Sequence, residues 1–234
     1  MTTPQPLMST HTAARHVIDL ATRTSAQKQG LLSHLIIPRP IAMITTVDED
    51  GRINVAPFSY YMPVSGEPPT IAVTIGSLRE ATDAPKDTWV NIERTGEFVV
   101  NVTGPAMADH IEAAAREYPN DVSELDITGW TTTDSQVVSV PSLVDSPANL
   151  ECRVLEVIDR GDPTVRFSGV HIVLAVVVSI TVSETILAEP DRIDPTLVSP
   201  IGRMGFPHFV QADSDALFYQ ERISYADITS AHNS

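Results

Sequence analysis

The 234 residues suffice for one domain with extensions, and for a buried core that needs no disulfide or metal staple. Apolar residues make up 42% and charged residues 19%, which excludes a disordered chain; the longest apolar run, Ile172 to Val178, is far short of the roughly 18 residues that suggest a membrane span. Fifteen basic against thirty acidic residues leave a net charge of −15, which argues against nucleic acid or a membrane surface as partner unless positive groups are concentrated locally.

In chain order, Met1 to Thr12 is polar and has no signal core, which predicts a cytoplasmic protein. Ala14, Val17, Ile18 and Ala21 have the spacing of a short helix that Gly30 would end. Ile41 to Val47, the turn Asp48 to Gly51 and Arg52 to Val55 predict a β-hairpin. Thr70 to Ile75 and Phe98 to Thr103 read as strands, and alanine-rich Ala106 to Tyr118, stopped by Pro119, as the best helix. Asn120 to Pro147 is turn-rich, with a short strand near Val137–Val140. Leu150 to Ile158 and Val170 to Val182 read as strands flanking an Asp159–Pro163 turn, and the second suits burial on both faces. After Glu189 the closely spaced prolines predict loops. Many short strands with one internal helix and no βα alternation point to a mainly β fold, a β-barrel, or to an α+β domain with a β core.

Two clusters carry candidate chemistry. Only two basic residues are lysines, Lys28 and Lys86, and Lys86 falls in the segment Gly76-Ser77-Leu78-Arg79 … Lys86-Asp87-Thr88. Glycine, hydroxyls, arginine and lysine together suit a phosphate monoester; an ordinary solvated loop is the alternative reading. Phe58-Ser59-Tyr60-Tyr61, after Pro57, offers an aromatic edge for a planar heterocycle, with plain core packing as the alternative. Neither GxGxxG nor GxxxxGK[ST] occurs. The lone Cys152 excludes internal disulfides and multi-cysteine zinc sites, and reads as buried and inert. Histidines 11, 16, 34, 110, 171, 208 and 232 are scattered, which argues against a metal site.

Pro38-Arg39-Pro40-Ile41-Ala42, Thr45-Thr46, Asn54-Val55-Ala56-Pro57-Phe58-Ser59, Pro68-Pro69, Lys86-Asp87-Thr88, Thr95 to Asn101, Leu150-Glu151-Cys152 and Gly202-Arg203-Met204-Gly205 occur in this order. In them the chain resembles the flavin reductase-like, FMN-binding split-barrel family, in its flavoredoxin-like branch. The resemblance spans residues 30–205, leaving extensions at 1–29 and 206–234. It implies a mainly β fold, a β-barrel with flanking helices of the six-stranded antiparallel split-barrel type, a homodimer, and FMN as cofactor, with NAD(P)H as candidate electron donor and a redox partner protein as candidate partner. It also implies that Thr45 and Thr46 face the flavin and that Phe58, Ser59 and Tyr60 meet its ring. Ser77, Arg79, Lys86, Asp87 and Thr88 would take the phosphate and ribityl end, and Arg203 would approach from the C-terminal loop. Arg39, between two prolines, reads equally as structural.

The implied activity is that of an FMN-dependent oxidoreductase, with no side chain nominated as catalytic. The alternatives are a non-catalytic FMN-binding or flavin-carrier module and, less favoured, a pyridoxamine-phosphate-oxidase-like enzyme. The module gains from one departure: where the resembled reductases carry Gly-Asp-His, this chain reads Gly161-Asp162-Pro163. A second departure is Gly205-Phe206-Pro207-His208, where the branch has two glycines followed by a tyrosine.

Overall fold

The computed structural model describes residues 14–119 and 122–221. The polar start Met1–Thr12 with His11, Asn120 at the head of the turn-rich stretch, and His232 lie outside them. One antiparallel sheet holds β1 (Ala42–Val47), β2 (Ile53–Phe58), β3 (Tyr61–Gly66), β4 (Pro69–Gly76), β5 (Glu97–Val102), β6 (Ala148–Arg160) and β7 (Val170–Val182), in the order β2-β1-β5-β6-β7-β4-β3. The expected six strands are therefore seven. The addition is β3, which places Met62 opposite Ala72 and Pro63 opposite Ile71 on β4. The edge strands β2 and β3 are consecutive in the chain, joined only by Ser59-Tyr60, so the sheet must curl until its two edges approach at that link. The Thr74 N–H donates to the Tyr60 carbonyl at 2.8 Å there. This is a split barrel, and register shifts between β6 and β7 near Ala175 and Val177 bend the longest pair around it.

β1 explains the missing polar alternation in Ala42–Val47. Ala42 and Ile44 face the barrel interior with Val73, Phe98, Val100, Cys152 and Val173. Met43 faces outward into a second cluster with Val55, Met107, Ile111, Leu143 and Ile201. A strand covered on both faces carries apolar residues on both, as Ala42, Met43 and Ile44 do here.

Among the described residues five α-helices flank the barrel: α1 (Ser25–Leu35), α2 (Asp87–Thr95), α3 (Ile111–Ala114), α4 (Glu124–Thr128) and α5 (Pro195–Val198). α1 starts later than expected and runs through Gly30, because Thr24 and Gln27 cap its first turn reciprocally. The expected helix over 106–118 is instead a 3-10 stretch, Pro105–His110, and the single turn α3; Met107, Ile111 and Ala114 still form one buried face. No strand forms at Val137–Val140. The N–H groups of Gln136, Val137 and Val138 turn instead onto the Glu151 carboxylate, at 2.7, 2.6 and 3.0 Å.

The C-terminal region is less loop-like than expected. β8 (Ile201–Gly205) pairs with β9 (His208–Gln211) and with the two-residue strand Arg39–Pro40. α1 runs across the expected boundary at residue 30, and the β8–β9 pair spans the one at residue 205. Among the described residues, no helix is long and apolar enough to cross a membrane.

Candidate functional site

A cleft of about 700 Å³ opens where the barrel edges meet, within the range usual for small-molecule sites. Its lining comes from the β2–β3 link, the loop between β4 and α2, the α3 exit, the β6–β7 tip, α1 and β8–β9. Nine of the eleven expected site residues line it: Phe58, Ser59, Tyr60, Ser77, Arg79, Lys86, Asp87, Thr88 and Arg203.

Thr45 and Thr46 do not. Both are fully buried in β1 and spend their hydroxyls inside the protein. Thr45 Oγ1 donates to the Pro141 carbonyl at 2.7 Å. Thr46 Oγ1 accepts from Asn91 Nδ2 at 3.1 Å and Asn54 Nδ2 at 3.4 Å. Asn54 Nδ2 in turn donates to Thr88 Oγ1 at 3.0 Å, so Thr46 supports a cleft residue from behind.

One end of the cleft gathers cations and hydrogen-bond donors. β4 stops at Gly76, and the loop that follows folds back on itself, with Arg79 N–H donating to the Ala84 carbonyl at 2.7 Å. Lys86 then sits at the N-cap of α2 and makes no side-chain cap bond, so no side chain of that residue satisfies the first-turn N–H groups. A helix start of this kind carries partial positive charge and free donors. Beside it Ser77 Oγ is buried; among the described residues only it and Trp130 Nε1 are buried polar side-chain atoms without a partner, and only Ser77 lines the cleft. Such a hydroxyl costs free energy unless a ligand satisfies it.

The cations at this end are already paired. Arg79 bonds to Asp87, which holds its guanidinium pKa above the ordinary value, and also donates to the Tyr118 carbonyl at 3.4 Å. Lys86 Nζ is 3.8 Å from Glu117 Oε1. Glu124, a buried carboxyl in the cleft, is pushed up by burial, although the Val55 N–H donates to it at 3.0 Å.

The other end is aromatic and cationic. Arg39 is buried and has its pKa lowered by that burial. It donates to the carbonyls of Ser33 and, at 3.0 Å, Ile36, which fixes it to the end of α1. From there it reaches Ser59 Oγ at 3.3 Å and lies 5.6 Å from the Tyr60 ring centroid, so it both braces and charges the β2–β3 link. Arg203 pairs with Glu112 and stacks over Phe209 at 4.3 Å and Phe206 at 5.6 Å. Gly205, at φ +104°, leaves room for the His34 ring, since a Cβ there would come within 2.8 Å of it.

Cys152 is buried in the barrel, and burial pushes its thiol up to about 12. His171 stacks on Trp89 at 3.8 Å with Nδ1 2.7 Å from Asp159 Oδ1. No group of three or more histidine, cysteine or acidic side chains is placed to hold a metal among the described residues. Sequence reasoning missed Glu112, Glu117 and Glu124, which no local motif marks, and also Asn54, although it stands inside the Asn54–Ser59 motif.

The family model for the flavin reductase like domain matches residues 33–198. An uncharacterized protein of Aquifex aeolicus is 30% identical over 182 residues, 78% of this chain and 88% of its own length. Nitrilotriacetate monooxygenase component B from Bacillus cereus superposes with a TM-score of 0.78 at 30% identity, covering 90% of this chain and 100% of its own. A 2-nitrobenzoate 2-nitroreductase of Pseudomonas fluorescens gives 0.77 at 25% identity, covering 90% and 97%.

Proposed function

We propose, for a chain that belongs to the flavin reductase-like family, that it is an oxidoreductase working through FMN held in the cleft described above. The observation that carries the choice of a phosphate-bearing flavin is the partnerless buried Ser77 Oγ beside the uncapped start of α2. A phosphate monoester would accept from that hydroxyl and the first-turn N–H groups, with Lys86 and Arg79 offsetting its charge. Thr88, held by Asn54, completes the oxygen shell.

Bound FMN supplies hydride and single-electron chemistry that no side chain offers. The chain's part is to hold and tune. Phe58, Ser59 and Tyr60 give the ring a wall, and the guanidinium of Arg39 behind that wall favours added negative charge on a ring placed there. Thr45 and Thr46 drop out of the proposed contact set and keep the supporting role described above.

NAD(P)H is the proposed donor. The name component B, borne by a relative of 30% identity, supports a partner protein as acceptor. The edge strand β3 exposes Met62 and Val64, which supports burial against a second copy of this chain in a homodimer. The non-catalytic carrier remains the second reading, favoured by Pro163 where a histidine would follow Gly161-Asp162.

The visible spectrum of the purified protein, chromatography of the released chromophore and anaerobic mixing with NADH or NADPH test the proposal together. Released FMN that is bleached by either nucleotide is the expected result. FMN that neither nucleotide reduces supports the carrier. A protein that stays colourless after soaking in FMN overturns both.

A further inference from the structure

Glu117 belongs to the exit of α3, yet its carboxylate reaches the loop between β4 and α2. One oxygen accepts the Glu80 N–H and the other the Ala81 N–H at 2.8 Å. Lys86 Nζ lies 3.8 Å away. Two adjacent backbone N–H groups and an ammonium make an anion cradle, and it is filled by an anion of the same chain. Burial alone would push this carboxyl up, but the two N–H groups, Lys86 and Arg79 together hold it below its usual value, so it is charged at neutral pH. Glu117 and Lys86 both line the cleft, where the Lys86 ammonium is a proposed phosphate ligand.

We infer that Glu117 is a tethered internal anion that competes with the ligand's phosphate for Lys86, held in place by the Glu80–Ala81 N–H pair, and so sets how strongly the phosphate end contributes to binding. The inference rests on the FMN reading for the identity of the ligand, but not for the anion cradle itself. The charges that act on Glu117 are Lys86 and Arg79, which attract both anions, and Arg79 is also bonded to Asp87. When phosphate arrives, Lys86 would exchange a carboxylate partner for a phosphate one. Affinity for phosphate-bearing ligands is therefore lower than the same cations would give unopposed.

Glu117→Gln keeps the side chain's length and removes its charge. Titrations of the full chain, freed of bound flavin, with FMN and riboflavin measure the competition. The variant should bind FMN about tenfold more tightly than the parent, the order expected for losing one opposing charge at a partly screened site. Riboflavin affinity should stay unchanged. FMN binding that is unchanged or weakened, or riboflavin binding that tightens equally, overturns the inference. If the parent binds neither flavin, the FMN reading has failed. Inorganic phosphate then decides, because it should raise the melting temperature of Glu117→Gln more than that of the parent. Should this variant not fold, Glu117→Ala takes its place; failure of both makes the carboxylate a structural tie and overturns the proposal.

Discussion

Lys86→Ala is expected to weaken FMN binding by about 1–3 kcal/mol, the cost of losing one charged hydrogen bond at a partly buried phosphate. Lys86 is one of two lysines in a chain of net charge −15, so few other cations can replace it. It caps α2 by position but not by its side chain, so the substitution removes the ammonium and leaves the helix start in place. The loss should fall on the phosphate alone. Fluorescence titration with FMN and riboflavin separates the two parts: the FMN curve shifts and the riboflavin curve does not. Equal shifts of both would mean that the residue acts through the loop rather than through charge.

Glu151→Ala is expected to cost about 3–5 kcal/mol of folding free energy, the range for breaking a buried charged partnership and leaving its donors unpaired. Glu151 is fully buried on β6, and its carboxylate is what three successive N–H groups of the 136–138 segment point at. Burial pushes its pKa up, but those N–H groups outweigh it and hold the carboxyl below its usual value. A carboxyl lowered in the folded state adds stability that is present above the unfolded value. That stability is lost as pH falls through the folded one. Urea denaturation should show the parent losing stability below about pH 4.3, the ordinary glutamate value, and Glu151→Gln showing a flatter profile. Parallel profiles would remove Glu151 from the acid response.

Much of the barrel was legible because buried strands have few ways to be written. Val170–Val182 forms one strand over the span its apolar β-branched run predicts, and Thr70–Ile75 and Phe98–Thr103 agree to within a residue. The helices were harder. α2 carries a motif that reads as a loop, Lys86-Asp87-Thr88, yet Asp87 in the first turn, Arg94 in the last and a left-handed Gly96 are helix-end signals. The alanine-rich segment misled in the other direction. Helix propensity is a weak preference, and here Glu117 and the Tyr118 carbonyl are spent on the loop across the cleft, so the segment leaves the helix after Ala114.

The candidate site divides in the same way. Its cations and hydroxyls were visible as residue types in one acidic chain. Their carboxylate partners Asp87, Glu112 and Glu117 were not visible as partners, because ion pairs across the fold have no sequence spacing. Thr45 and Thr46 mark the limit of residue-by-residue transfer from a resemblance. The motif is present, but each hydroxyl is already committed within the protein, one to the Pro141 carbonyl and the other to Asn54 and Asn91.

The position of the phosphate in a crystal of the FMN complex tests this account most directly. The account predicts phosphate oxygens within hydrogen-bond distance of Ser77 Oγ and the first-turn N–H groups of α2, with the Lys86 ammonium turned toward them and the flavin ring against Phe58-Ser59-Tyr60. A phosphate bound elsewhere, with Ser77 Oγ still unpartnered, would contradict it.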